Sequence, residues 1–313
     1  MTKEERTLVI GTRSSALAMW QTDTVSGLLP GPVKVQKITT SGDRFREISL
    51  QGGSQTGFFT KEIEDRLLAG DVDVAVHSLK DLPTQIADGL TIPACLPRAP
   101  VADLLLVHPD WHAPDRMLPI KPGCRVGAGS LRRQALIRLY APDTTPELIR
   151  GNVPTRANKC KTLEYGAIVL ARAGVERLGL DLSPLHVYEL NPEHWLPAPG
   201  QGAVAVQVRK DDSEAIATVT TINHAGTTNA VDLERALLSS FEGGCHTAFG
   251  AHAIFAGGTW TVAIGIDRGE EGWGQRSYTG SAQELRRLGP AEVPSFSAPS
   301  PAGQEDLCRP YLP

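Results

Sequence analysis

A chain of 313 residues exceeds one ordinary hydrophobic core, so two or three domains are expected. Apolar residues at 41% and charged residues at 21% suit a globular protein in water, and no apolar run reaches the length of a membrane span. The net charge of −4 hides a basic segment: from Arg125 to Arg177, ten Lys/Arg stand against four Asp/Glu, a balance of +6 that leaves −10 elsewhere. Such asymmetry points to a local anionic ligand. Nucleic acid is disfavoured, because only Tyr140 and Tyr165 supply aromatic rings in that segment and the total charge is acidic. Cysteines 95, 124, 160, 245 and 308 show no CxxC spacing, so neither a metal site nor a disulfide framework is expected. The charged start, Met1 to Arg6, lacks the apolar stretch of a secretory signal. A reduced, cytoplasmic protein with no membrane partner fits these features.

In chain order, Leu8-Val9-Ile10 is read as a short buried strand, and Ser14 or Ser15 as the cap of a helix from Ala16 to about Leu29. Residues 33–39 alternate as a strand, 51–57 form a Gly-rich loop, 58–68 carry helical spacing, and 72–76 form a strand. Strands alternating with helices predict a mainly parallel sheet. Pro-rich residues 93–100 mark a first crossover between domains. A second α/β unit follows: Arg125-Val126, a helix over 131–140, Leu148-Ile149, a helix near 155–163, and a buried strand over 167–170. Pro197 to Gly202 mark a second crossover, after which residues 203–208 return as a strand to the first sheet. Near Thr228 a third unit opens with a helix capped by Asn229, followed by strand-like runs over 248–255 and 259–266. The last 33 residues hold six prolines and are expected to lack a packed fold of their own. No internal repeat is visible. The predicted domains are residues 1–98 with 202–222, residues 99–201, and residues 223–285, followed by a tail over 286–313. The predicted class is α/β, with two hinged lobes resembling periplasmic binding proteins, a ligand site in their cleft, and a smaller α+β C-terminal domain.

Three places carry chemistry. The apolar run Val74-Ala75-Val76 ends at Lys80-Asp81, and Pro83 forbids its continuation. A cation and a carboxylate are thereby set at the carboxyl end of a buried strand, where open α/β sheets bind ligands. By spacing alone this pair reads as a surface ion pair of little energetic weight. Next, Gly127-Ala128-Gly129-Ser130-Leu131-Arg132-Arg133 follows a strand and opens a helix. Arg132 stands where a dinucleotide fingerprint needs its third glycine, so the segment suits a carboxylate or phosphate instead. Arg150-Gly151-Asn152, Thr155-Arg156 and Arg13-Ser14-Ser15 repeat the theme at other element ends. Last, Glu242-Gly243-Gly244-Cys245-His246 sets a cysteine in a glycine-bearing loop. Lone cysteines are mostly buried filler, yet this position favours exposure and reactivity.

Together these segments resemble the porphobilinogen deaminase (hydroxymethylbilane synthase) family. The resemblance rests on residues 11–18, 75–83, 129–134, 150–156, 170–179, 196–203 and 242–245, in family order. It implies a monomeric transferase that condenses four porphobilinogen molecules head to tail with loss of ammonia. It also implies a dipyrromethane cofactor held by a thioether to Cys245. Asp81 would be the catalytic residue and would also touch the cofactor. Lys80, Ser130, Arg132 and Arg133 would hold the cofactor's carboxylates. Arg13, Ser15, Arg150, Arg156, Arg177 and Phe59 would bind substrate. Two features depart from the family. Thr56 stands where many relatives have a lysine, and the Pro/Ser-rich end replaces an amphipathic helix. A divergent paralogue with another pyrrole-derived product, and a non-catalytic anion-binding module, remain alternative readings.

Overall fold

The computed structural model describes residues 6–40, 60–241, 248–290 and 306–311. The chain divides into two compact units, residues 1–99 with 200–232 and residues 100–199 with 233–313. Phe59, Thr56, Cys245 and His246 lie outside the described residues.

In the first unit β1 (Leu8–Thr12) lies between β2 (Val33–Lys37) and β3 (Val74–Ser78), parallel to both. Next comes β10 (Val204–Arg209), antiparallel to β3 and to β4 (Leu90–Cys95), which completes the order β2-β1-β3-β10-β4. Of the two candidate serines, Ser15 caps α1 (Ala16–Leu28): its backbone is extended and its hydroxyl accepts from the Ala18 N–H. Helices α2 (Lys61–Leu68) and α6 (Ser213–Thr220) bury Ile63, Leu67, Ala215 and Val219. Pro93 falls inside β4, so the first crossover is shorter than predicted. A proline is tolerated there because β4 is an edge strand.

A buried polar chain links three elements of this unit. His77 of β3 is 3.1 Å (Nε2) from Gln207 Oε1, and the Gln207 amide donates to Glu64 Oε1 of α2 at 2.8 Å. Burial lowers the His77 pKa to about 4, outweighing the Gln207 hydrogen bond, with a smaller push from the Arg13 charge. The folded value lies below the ordinary 6.5, so between the two the unfolded chain binds the proton and the folded chain does not. Stability is therefore complete above pH 6.5 and falls as pH drops towards about 4, by about 3 kcal/mol in all. Urea midpoints measured at pH 7 and pH 4.5 are expected to separate further in the wild type than in His77→Asn. Equal separation would show that His77 is not the titrating group.

The second unit holds a six-stranded sheet in the order β14-β9-β5-β8-β6-β7, with β14 spanning Cys308–Pro310. At its centre β5 (Asp103–Val107) is wholly buried and antiparallel to both β8 (Ala167–Ala171) and β9 (His186–Leu190). Strand β6 (Arg125–Ala128) runs parallel to β8 and to β7 (Thr145–Leu148). Helices α3 (Leu131–Tyr140), α4 (Val153–Lys161) and α5 (Arg172–Leu178) follow β6, β7 and β8 in turn. A three-stranded antiparallel sheet, β11 (Phe249–Ala256), β12 (Thr259–Asp267) and β13 (Trp273–Gly280), belongs to the same unit and leads into α8 (Ala282–Leu285). Helix α7 (Ala225–Phe241) is divided between the units at residue 232.

Both units repeat one plan that no sequence repeat announces. Three parallel strands stand in the order β2-β1-β3 or β7-β6-β8, and an antiparallel strand, β10 or β5, lies beside the third. Each sheet is therefore mixed, not mainly parallel as predicted. The antiparallel strand is the first formed after the chain passes into that unit, so it is not joined to its neighbour by a helical crossover.

Three further readings need correction. Asn229 lies inside α7, which starts at Ala225; His224 caps it, its Nδ1 accepting from the Thr227 N–H at 3.1 Å. Strands β4, β5, β9 and β13 and helices α5, α6 and α8 were not predicted. The tail is not wholly unpacked: β14 (Cys308–Pro310) extends the six-stranded sheet beside β9, and Leu307 is buried in the core. Arg309 pairs with Glu189 at 2.8 Å, and the Tyr311 hydroxyl donates to Glu176 at 3.1 Å. Proline content obscured the strand, although Pro310 suits an edge position.

Candidate active site

Apart from Arg177, the described candidate residues follow the carboxyl ends of the parallel strands, the ligand-binding side of an open α/β sheet. In the first unit Arg13 directly follows β1 and Ser15 caps the next helix. Lys80 and Asp81 form a 3-10 turn, Leu79–Asp81, directly after β3. This turn is pinned from behind. The Leu79 N–H donates to Ala203 O at 3.1 Å, the Leu82 N–H closes the turn on Leu79 O, and the Leu79 side chain is buried. Gly200, at φ 71°, packs so closely that a Cβ there would lie 3.0 Å from Leu79 Cγ. The Lys80 ammonium stands 3.5 Å from Gln201 Oε1, and Gln201 is itself buried. Asp81 is exposed, presenting its carboxylate to solvent from a fixed backbone.

In the second unit Ser130 caps α3 by accepting from the Arg133 N–H. Gly127 serves packing, because a Cβ there would come within 2.9 Å of Ile149 Cδ1. Gly129 leaves room for Arg156, whose Nη1 would meet a Cβ at 2.5 Å and whose Nε donates to Gly151 O at 2.7 Å. Asn152 caps α4, taking both the Thr155 N–H and its hydroxyl. Arg150 lies half-buried between β7 and that cap. Arg177 sits half-buried in the last turn of α5, and burial lowers its pKa from the ordinary arginine value.

Arg132 and Arg133 are not surface cations. Both are buried against Asp103, the first residue of β5. Arg133 forks onto the carboxylate through Nε (3.0 Å) and Nη2 (2.6 Å) and reaches Val169 O through Nη1. Arg132 donates through Nη2 to Asp103 Oδ2 at 2.8 Å and through Nη1 to Leu196 O. Trp195 Nε1 donates to the same Oδ2 at 3.0 Å. Burial alone would raise the Asp103 carboxyl, but the two guanidiniums override it and hold it well below the usual carboxylate range. Two cations against one anion leave a charge of +1. Arg132 Nε is buried with no hydrogen-bond partner. Asp103 escaped the sequence reading, and its only signal was a lone acid opening the apolar run Leu104-Leu105-Leu106-Val107.

Residues 8–217 match the family model described as "Porphobilinogen deaminase, dipyromethane cofactor binding domain". That match spans more than half of the chain. The chain belongs to the porphobilinogen deaminase family. Relatives bearing the name porphobilinogen deaminase include those of Geobacillus kaustophilus, 41% identical over 260 residues (81% of this chain, 82% of the relative), and Syntrophomonas wolfei, 39% identical over 259 residues (81% and 82%). The relative from Syntrophobacter fumaroxidans is 39% identical over 293 residues (91% and 92%). Solved structures that superpose in part include the VFT2 domain of BvgS from Bordetella pertussis, at 11% identity and TM-score 0.43, covering 69% of this chain and 86% of that one. Another is the substrate-binding protein AbpA from Streptococcus pneumoniae, at 11% identity and TM-score 0.37 with the same coverage.

Family membership brings a dipyrromethane cofactor, and the second unit fits such a group. Each pyrrole carries two carboxylates. A buried cluster with a surplus positive charge and an orphaned Arg132 Nε is built for an anion.

Proposed function

We propose that this chain is a hydroxymethylbilane synthase, a transferase of tetrapyrrole biosynthesis that joins four porphobilinogen molecules head to tail and releases ammonia at each addition. One observation carries the reading. Arginines follow the carboxyl ends of parallel strands in both units, and an exposed carboxylate, Asp81, stands on a turn pinned by Ala203 and Gly200. Each porphobilinogen unit adds an acetate and a propionate, so a growing chain needs repeated cation sites. Arg13, Arg150, Arg156 and Arg177, with Ser15, bind the incoming carboxylates, and the aromatic ring of Phe59 contacts the substrate. Planar guanidiniums grip carboxylates in two-point fashion better than ammonium groups. Lys80, Ser130, Arg132 and Arg133 hold the cofactor, which supplies the covalent primer to which units are added and is tethered at Cys245. Asp81 accepts from pyrrole N–H groups, stabilises the cation formed as ammonia departs, and takes the proton lost when the new carbon–carbon bond forms. The pinned turn supports this role, since an oriented carboxylate needs no reorganisation at the moment of reaction. In the same proposal residues 223–285 form a cofactor-bearing domain, and the enzyme is a cytoplasmic monomer without nucleic-acid or membrane partners. Among the described residues no helix is long and apolar enough to cross a membrane.

The test is the intact mass of the purified protein after incubation with porphobilinogen. Wild type is expected to carry a dipyrrole adduct that colours with an aldehyde reagent, and Cys245→Ala is expected to carry none. A wild-type protein without adduct would count against the synthase and for a non-catalytic anion binder.

A further inference from the structure

We infer that Asp103 is a positioning residue for cofactor binding: it fixes the buried guanidiniums of Arg132 and Arg133 in the attitude that receives a carboxylate. The inference rests on the proposed function, because it assigns that pair to the cofactor. Asp103 touches no ligand atom in this scheme and acts only through the two arginines.

Four donors converge on its two oxygens. Oδ1 takes Arg133 Nη2, whereas Oδ2 takes Arg133 Nε, Arg132 Nη2 and Trp195 Nε1, all between 2.6 and 3.0 Å. The Asp103 side chain is fully buried, and the arginine side chains are 4% and 7% exposed. A long cationic side chain on the first turn of a helix ordinarily samples many rotamers. Here Arg132 is held by both terminal nitrogens, to Asp103 and to Leu196 O, so the plane of its guanidinium is set. The remaining Nε is the donor left without a partner. Arg133 uses all three nitrogens within the protein and acts as the brace.

Stability alone does not account for this arrangement. A buried ion cluster is a weak source of stability compared with an apolar group of the same volume, and one bearing an uncompensated charge is weaker still. The cluster becomes neutral when one ligand carboxylate reaches Arg132. A preformed, dehydrated guanidinium binds such a group without first losing side-chain freedom or water.

Asp103→Asn keeps the size of the side chain and removes its charge. Asp103→Glu keeps the charge and moves it by one methylene. Both are compared with wild type at a temperature where circular dichroism shows each folded. The readouts are intact mass, for adduct on Cys245 across a porphobilinogen series, and kcat and KM of whatever fraction loads. Positioning predicts that both variants need about 100-fold more porphobilinogen to load, as a misplacement on the scale of 1 Å produces. A purely structural Asp103 predicts a lowered Tm with normal loading below it. Pure charge balance predicts a defect in Asp103→Asn and normal loading in Asp103→Glu. Either of these last outcomes overturns the inference. If Asp103→Asn does not fold, Asp103→Glu decides, since normal loading there also overturns it. An unloaded wild type would defeat the proposed function itself, which distinguishes the two failures.

Discussion

Asp81→Ala is expected to lower porphobilinogen consumption roughly 100- to 10,000-fold, the range for removing a positioned proton-transfer group. The fold should barely notice. Asp81 is exposed, and surface substitutions of this kind shift stability by about 0.5 kcal/mol or less. The backbone of the turn is kept by Leu79, through its N–H to Ala203 and its buried side chain, and neither depends on the carboxylate. Initial rates on fully loaded enzyme, together with a urea melt, check both halves of the expectation. Asp81→Glu should recover part of the rate, because the carboxylate returns but its reach changes. An Asp81→Ala enzyme that still turns over at wild-type rate would remove Asp81 from the mechanism.

The second large effect is on stability. Trp195→Ala is expected to lower unfolding free energy by about 4 kcal/mol. Trp195 is fully buried, stacks on Tyr140 with ring centroids 6.0 Å apart, and packs in the main core of the second unit with Leu105, Val126, Leu136 and Val169. Its removal opens a cavity between the sheet and α3. It also takes one hydrogen bond from Asp103, which still keeps three donors from the arginines. Trp195→Phe retains most of the volume and should lose much less. A chemical denaturation series on the two variants separates cavity from hydrogen bond. Equal losses would mean that the indole N–H, not the volume, governs the site.

Strands β1, β3, β6, β8 and β10 were legible in the sequence because apolar β-prone residues were bounded by glycine, proline or charge. The Ser15 and Ser130 caps were legible because a hydroxyl residue before a helical pattern has a local physical role. Strand β5 was missed although it is the most buried of the second sheet. Its run Leu104-Leu105-Leu106-Val107 has no alternation and is mostly leucine, so its pattern does not distinguish a buried strand from a buried helix segment. Strand β14 was missed because it is three residues long, Cys308–Pro310, and carries a proline within a Pro-rich tail.

The site divides along the same line. Local sequence determined which residues stand at the ends of strands: Arg13, Lys80, Asp81, Ser130, Arg150 and Arg156. Strand, turn and helix cap are short-range matters of backbone geometry and side-chain spacing. Tertiary structure alone decided what those side chains meet. Arg132 and Arg133 read as cations at a helix start that suit a carboxylate or phosphate, and only the entry of β5 beside β8 brings Asp103 beneath them. Gly129 read as part of a helix-opening turn suited to an anion, and only the approach of α4 shows it making room for Arg156. His77 lies just beyond the strand read over 72–76, and only β10 supplies the Gln207 that keeps its neutral ring buried. In each case the deciding partner is distant along the chain. The energy of a buried charge or polar group depends on that partner, not on its neighbours in sequence.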